Sequence, residues 1–176
     1  MRLLLQLLKM IKDFNSLFVT MFNLGKIKFI PGTLGSLTTI IFFYYLFHVV
    51  ELSSNIIFFG LVIIFIYSFY AISNYIENNE DKDPSEIIID EFIGQSIPIY
   101  LYEISHGTNK SHDEAILFYG ICFILFRYFD IMKPFPVNFF DKNFKNSFGV
   151  IMDDVCAGLY VVLSLICFMI LKNYFI

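Results

Sequence analysis

Charge is scarce in this chain of 176 residues: 12 lysines and arginines stand against 16 acids, a net charge of −4. That balance is too small to suit a nucleic-acid partner. Cysteine is scarce as well. Cys122, Cys156 and Cys167 show no CxxC spacing, which argues against a disulfide framework or a zinc site and leaves packed, reduced thiols in or near lipid. No Gly-Lys-Ser/Thr follows Gly32-Thr33-Leu34-Gly35-Ser36, so that glycine-containing turn is not a Walker A loop. No Cys-x5-Arg element offers a nucleophilic cysteine. No small-residue cleavage site follows the short apolar run Leu3 to Leu8, so a cleaved signal is disfavoured.

What the chain has instead is apolar surface. Hydrophobic residues make up 57% of it, 23 of them Phe, and mean hydropathy is +0.69. Soluble domains lie nearer to half. A bilayer crossing takes about 20 residues. Leu34 to Val50, Ile56 to Ile76, Ile87 to Tyr102 and Ala115 to Met132 are long and apolar enough to cross or nearly cross, and a fifth such segment runs from Val155 to Leu171. The third is the weakest, because it begins with two acids and contains Pro98, and it reads as a short or kinked span supported by its neighbours. Leu4, Leu7, Leu8, Ile11, Leu17 and Phe18 recur at helical spacing, which predicts an amphipathic helix on the membrane surface. The expected fold is all-α: a single domain over residues 1–176, a polytopic membrane protein of four to five apolar helices, with residues 1–30 as an interfacial segment.

The loops sort the chain. Arg2, Lys9, Lys12, Lys26 and Lys28 precede the first span, and Lys133, Lys142 and Lys145 follow the fourth. Short basic loops favour the cytoplasmic side. Alternation then puts the 78–85 loop, with Lys82, there too, and the loops at 51–55 and 105–113 outside. Four polar groups consequently share the cytoplasmic face: Pro31 to Ser36, the acids Asp83, Asp90 and Glu91, the trio Arg127, Asp130 and Lys133, and the pair Asp153-Asp154. His48, His106 and His112 fall on the other side and read as ordinary polar residues.

Carboxylates at membrane depth are costly and rarely stand without a partner or a cation. Asp90-Glu91 and Asp153-Asp154 are both expected at helix starts, where N–H groups favour negative charge. N-capping explains one such pair. Two pairs with Asp130 on one face carry −5 against +2 from Arg127 and Lys133, and an excess of that kind calls for cations or raised pKa values. Hard divalent ions, Mg²⁺ first, suit oxygen ligands beside phosphate. Arg127, Asp130 and Lys133 lie at i, i+3 and i+6 on one helix end, with Pro134 and Pro136 after it. An interfacial salt bridge accounts for that trio about as well as phosphate binding. The turn at Gly32 to Ser36 reads as a helix cap more readily than as an anion site. Ala157 and Gly158 allow close helix approach.

Read in order, Pro31 to Ser36, Asp83 to Gly94, Phe126 to Val137 and Gly149 to Gly158 resemble the phosphatidylglycerophosphatase A family across residues 17 to 172. Phe135 stands where members often carry Trp. The resemblance implies a bacterial inner-membrane enzyme that removes the terminal phosphate of phosphatidylglycerophosphate, with Mg²⁺ as cofactor, the phospholipid as partner and the site on the cytoplasmic face. On that reading Asp90, Glu91, Asp153 and Asp154 hold metal, Asp130 is a ligand or base, and Arg127 and Lys133 stabilise transition-state charge. Thr33 and Ser36 join Arg127 and Lys133 in binding substrate. A CDP-alcohol phosphotransferase is a weaker alternative, because its Asp-Gly-x2-Ala-Arg element is absent. A transporter would place acids at mid-bilayer or on both faces.

Overall fold

A computed structural model describes residues 2–77, 84–106 and 111–175. Lys82, Asp83, Lys110 and the side chain of His106 lie outside what it describes. Seven α-helices form within those residues: α1 (Arg2–Val19), α2 (Pro31–Tyr44), α3 (Ser54–Glu77), α4 (Ile89–His106), α5 (His112–Met132), α6 (Val137–Asn143) and α7 (Ser147–Phe175). A 3₁₀ turn at Leu24–Lys26 links α1 to α2, and a π turn at Tyr45–Val49 extends α2. The all-helical expectation holds.

Four stretches are long and apolar enough to cross a membrane: Pro31–Val49, Ser54–Glu77, His112–Met132 and Ser147–Tyr174. Their outward faces carry Ile41, Phe59, Ile63, Ile66, Leu117, Ile124, Leu163 and Phe168, all exposed. An apolar exterior of this kind belongs in lipid. The segment beginning at Ile87, expected to be the weakest span, becomes α4, and it has a different role. It runs through the middle of the bundle and packs against α2, α3, α5 and α7. Ile93, Gln95, Ser96 and Ile99 are buried along it. Neighbouring helices therefore enclose the polar groups that would bar it from lipid.

Two glycines set the closest packing. A Cβ at Gly94 of α4 would run into the carbonyl of Asp154 and lie 2.8 Å from the Phe126 ring, and one at Gly158 of α7 would run into the carbonyl of Gly94. The expected close approach at Ala157-Gly158 is thus made against α4. Pro98 inside α4 also deprives the Gly94 carbonyl of its N–H donor one turn on. The face of α4 that meets α7 is the one carrying that carbonyl.

One boundary differs from the sequence expectation. Hydropathy starts the last span at Val155, yet α7 begins at Ser147, capped by Asn146, whose Oδ1 accepts the Gly149 N–H at 3.1 Å. Asp153 and Asp154 consequently lie in the second turn and not at a helix start. The expectation that this pair stands at a helix start is wrong. The loop between Lys133 and Gly149 also contains α6, which packs on α7.

α1 lies along α3. Asn15, buried, donates to Asn74 Oδ1 at 3.1 Å and accepts from the Tyr67 hydroxyl at 2.6 Å. Leu3, Leu4, Leu7, Met10, Ile11 and Phe14 of the same helix are exposed. Lys9 and Lys12 lie on the same helix, the make-up of an interfacial helix.

Candidate functional site

Local structure fixes the start of α4 before any site chemistry enters. The Ile88 N–H donates to the Val19 carbonyl at 3.0 Å, and the Tyr75 hydroxyl donates to Glu86 Oε2 at 2.6 Å. A Cβ at Gly25 would collide with the Glu86 carbonyl, so the α1–α2 connection presses directly on this strand of chain. Asp90 and Glu91 follow in the first turn of α4, as the sequence suggested. Asp90 turns its Oδ1 to the neighbouring Glu91 N–H at 3.1 Å.

One carboxylate oxygen each from Asp90, Glu91 and Asp154 lies within 4.8 Å of the others. Asp90 and Asp154 are buried. The group comes from α4 and α7, whose close approach at Gly94 and Gly158 brings Asp154 across. Glu91 also faces α2. A Cβ at Gly32 would fall onto Glu91 Oε1 and within 2.9 Å of Arg127 Nη1. Gly32 therefore has a use the turn reading lacked: it leaves the space where a carboxylate and a guanidinium meet over the end of α2.

The remaining predicted residues surround this group. Arg127 Nη1 donates to Asp130 Oδ2 at 2.5 Å. Asp130 stands beside Asp154 and Lys133. Lys133 caps α5 in the left-handed conformation at φ 44°, with its N–H on the Phe129 carbonyl. Its Nζ donates to Asp141 Oδ1 at 2.6 Å and to Asp153 Oδ2 at 3.1 Å. Burial disfavours the Lys133 ammonium, but the hydrogen bonds and charges of Asp141 and Asp153 outweigh it and raise the pKa above the ordinary lysine value. Adjacent helical residues point about 100° apart, and here they divide. Asp153 turns to the lysine, and Asp154 joins Asp90 and Glu91. Ser36 is fully buried, with its hydroxyl donating to the Gly32 carbonyl at 2.9 Å. Thr33 lies in the first turn of α2, one turn before Ser36, and is partly exposed.

Sequence reasoning missed two residues here. Asp141 of α6 is one, and an acid seven residues past a proline stop gave little signal. The other is Gln95. It is fully buried on α4, and neither its Oε1 nor its Nε2 has a hydrogen-bond partner. An amide four residues after Glu91 inside an apolar helix was the available cue.

A second polar group occupies the opposite end of the bundle. His48 Nε2 lies 3.3 Å from Glu103 Oε1, which also accepts the Tyr119 hydroxyl at 3.0 Å, and the Tyr44 hydroxyl lies 2.9 Å from His112 Nδ1. His48 and His112 thus belong to a network and are not isolated polar residues.

Buried oxygens and nitrogens are normally paired. Among the described residues, those that are not belong to Glu91 (Oε2), Gln95 (both amide atoms), Arg127 (Nε) and Asp154 (Oδ1). Carboxylate oxygens that converge without partners fit a hard cation, which takes oxygen ligands. A free guanidinium N–H beside them fits a phosphate oxygen.

The family model described as "Phosphatidylglycerophosphatase A" matches residues 17–169. The chain belongs to the phosphatidylglycerophosphatase A family. It is 32% identical over 142 residues to the phosphatidylglycerophosphatase A of Haemophilus influenzae, covering 81% of this chain and 80% of that one. It is 31% identical over 138 residues to the Escherichia coli protein of the same name, covering 78% and 73%. A Bacteroides thetaiotaomicron protein named as a candidate phosphatidylinositol-3-phosphatase is 33% identical over 142 residues, covering 80% and 84%. No solved structure matches. Membership of a phosphatidylglycerophosphatase family agrees with the geometry: carboxylates able to hold a metal, with cationic side chains next to them, at one end of a multi-span helical bundle.

Proposed function

We propose that this chain is a Mg²⁺-dependent phosphomonoesterase of phosphatidylglycerophosphate, which it hydrolyses to phosphatidylglycerol and phosphate at the cytoplasmic face of a bacterial inner membrane. The observation that carries the reading is the meeting of Asp90, Glu91 and Asp154, with a buried unpaired oxygen on Glu91 and another on Asp154. The Asp130-anchored guanidinium of Arg127 lies against Glu91. Asp90, Glu91 and Asp154 would hold Mg²⁺, with Asp153 beside them. When bound, the ion supplies positive charge to the phosphoryl oxygens and acidifies a water.

The protein's own groups do the rest. Arg127 presents a planar donor to the phosphoryl group, and Asp130 keeps that donor aimed. Lys133, held by Asp141 and Asp153, adds a fixed positive charge as negative charge builds on the phosphoryl oxygens. Asp130 has one oxygen on Arg127 and lies beside Asp154, so its carboxylate is placed to take the proton of the attacking water. Water attacks phosphorus, the bond from phosphorus to the ester oxygen breaks, and the lipid oxygen takes up a proton. Thr33 would shape the rim at the start of α2, whereas Ser36, expected to bind substrate, is buried behind it with its hydroxyl on the Gly32 carbonyl. A diacyl substrate stays in the bilayer, so only its headgroup must reach this end of the bundle.

The Bacteroides relative supports a second substrate, a phosphatidylinositol monophosphate. Both are lipid phosphomonoesters. Phosphate release should be measured in detergent micelles from phosphatidylglycerophosphate, phosphatidylinositol 3-phosphate and phosphatidic acid, each with Mg²⁺ and with EDTA. Preference for the first, abolished by EDTA, is expected. Preference for either of the others replaces the substrate but keeps the chemistry. Undiminished release in EDTA removes the metal.

A further inference from the structure

Among the described residues, four contribute unpartnered buried polar atoms, and three of them are already in the acid pocket: Glu91, Arg127 and Asp154. The fourth, Gln95, is an uncharged amide with no assigned part. Its place on α4 connects it to the others. Ile88, Glu91 and Gln95 follow at i, i+3 and i+7, one stripe of a helix. The first two lie against Gly35 of α2, whose Cβ would sit 3.0 Å from Ile88 Cβ and 3.6 Å from Glu91 Cβ. Gln95 extends that stripe one turn deeper into the bundle. The buried hydroxyls of α2 offer it nothing, because Ser36 and Thr39 donate to their own helix, to the Gly32 and Gly35 carbonyls.

A buried amide with neither end satisfied weakens a fold unless something else satisfies it. Gly94 and Ser96 flank it, and the Ser96 hydroxyl donates to the Ile93 carbonyl, so its chain neighbours give the amide no partner. The chemistry it offers is specific. The carbonyl oxygen accepts from water, and the NH₂ donates to anionic oxygen. Mg²⁺ commonly retains several of its waters when protein carboxylates bind it, and such waters need acceptors on their far side.

The geometry points to Gln95 as the membrane-side wall of the acid pocket, its carboxamide hydrogen-bonding the water shell of the cation held by Asp90, Glu91 and Asp154. It is a positioning residue: it touches the cation's waters and does not replace a carboxylate. The inference rests on the reading that those three acids hold a cation.

The test uses the full-length protein in detergent, Mn²⁺ as the probe, and two variants, Gln95→Met and Gln95→Leu. Free Mn²⁺ is titrated by electron paramagnetic resonance, and melting is followed separately in EDTA. Mn²⁺ affinity is expected to fall about 10- to 100-fold, the usual cost of losing a group behind the ligands. In EDTA both variants are expected to melt at or above the wild-type temperature, since the replaced amide had no partner to lose. Unchanged Mn²⁺ affinity overturns the assignment. So does a lower melting temperature in EDTA for both variants, or failure of both to fold, because the amide would then have structural partners. Asp154→Asn separates this from the underlying reading. If wild type binds Mn²⁺ and Asp154→Asn does not, the acid pocket stands and Gln95 is judged on its own variants. If wild type binds none, pocket and wall fall together.

Discussion

Asp153 and Asp154 are neighbours in sequence with different surroundings. Asp153 is tied to Lys133 at 3.1 Å, and Asp154 has a buried oxygen that meets no donor. Removing the charge at each should therefore do opposite things to the cation-free fold. Asp154→Asn relieves a crowd of carboxylates and should raise the melting temperature in EDTA while phosphate release is lost. Asp153→Asn breaks an ion pair and should lower it. Thermal melts of both purified variants, with lipid phosphatase assays alongside, check this; the same direction of shift in both would reject the division. Arg127→Lys keeps the charge but loses the planar fork that reaches both Asp130 and the Glu91 side. Its expected cost is about 100-fold in kcat, measured under saturating lipid, with insertion and yield unchanged. At this scale the sequence made most of the site legible, because charge in an apolar chain is conspicuous. Gln95 stayed hidden for the converse reason. An uncharged amide between Gly94 and Ser96 raises no flag until its burial and its lack of partners are known.

At the scale of the helix, hydropathy found the long helices but misplaced the start of one. It began the last one at Val155, because Ser147 to Asp154 is too polar to score as lipid-facing. That stretch is nevertheless helical and half-enclosed by α3, α4 and α6. Its cap, Asn146, was readable; its burial was not. It also marked α4 as the poorest span, and α4, at the centre of the bundle, is not among the stretches apolar enough to cross by themselves. Polarity that weakens a lipid-facing helix suits one that neighbours shield. The α4–α7 contact is the joint on which the acid pocket depends, since it carries Asp154 to Asp90 and Glu91. Gly158→Ala would place a methyl group on the Gly94 carbonyl. Overpacking of this kind costs about 1–3 kcal/mol, or roughly 2 to 4 °C of melting temperature per kcal/mol for a chain of this size. Phosphatase activity should fall further than stability does, because the carboxylates are spread. Gly60→Ala on α3 is the control. Its Cβ meets nothing within 4 Å, so melting temperature and activity should both stay at wild-type values.

The whole molecule has two unlike ends. One gathers Asp90, Glu91, Arg127, Asp130, Lys133, Asp141, Asp153 and Asp154, with unpaired atoms among them. The other joins His48, Glu103, Tyr119, Tyr44 and His112 in contacts that leave no buried side-chain atom of theirs unpartnered. Pairing of that kind closes a helix bundle, whereas open valences await a ligand. The sorting of charges by loop foresaw the first end. It could not foresee the second, because Glu103 and His48 lie 55 residues apart and meet only after α2 and α4 pack. The same sorting makes a claim about sidedness. Lys26, Lys28, Lys142 and Lys145 lie near the acid end, and Glu51 lies on the connection at the other. If basic loops set orientation, the acid end faces the cytoplasm, where a lipid made on the inner leaflet would meet it. Single cysteines at Lys142 and Glu51, introduced after Cys122, Cys156 and Cys167 are replaced by Ala, would report it in spheroplasts with a maleimide that does not cross the membrane. Glu51→Cys should label in intact spheroplasts and Lys142→Cys only after lysis. The reverse pattern would put the carboxylates on the outer face, and the proposed substrate would then have to be presented from the outer leaflet.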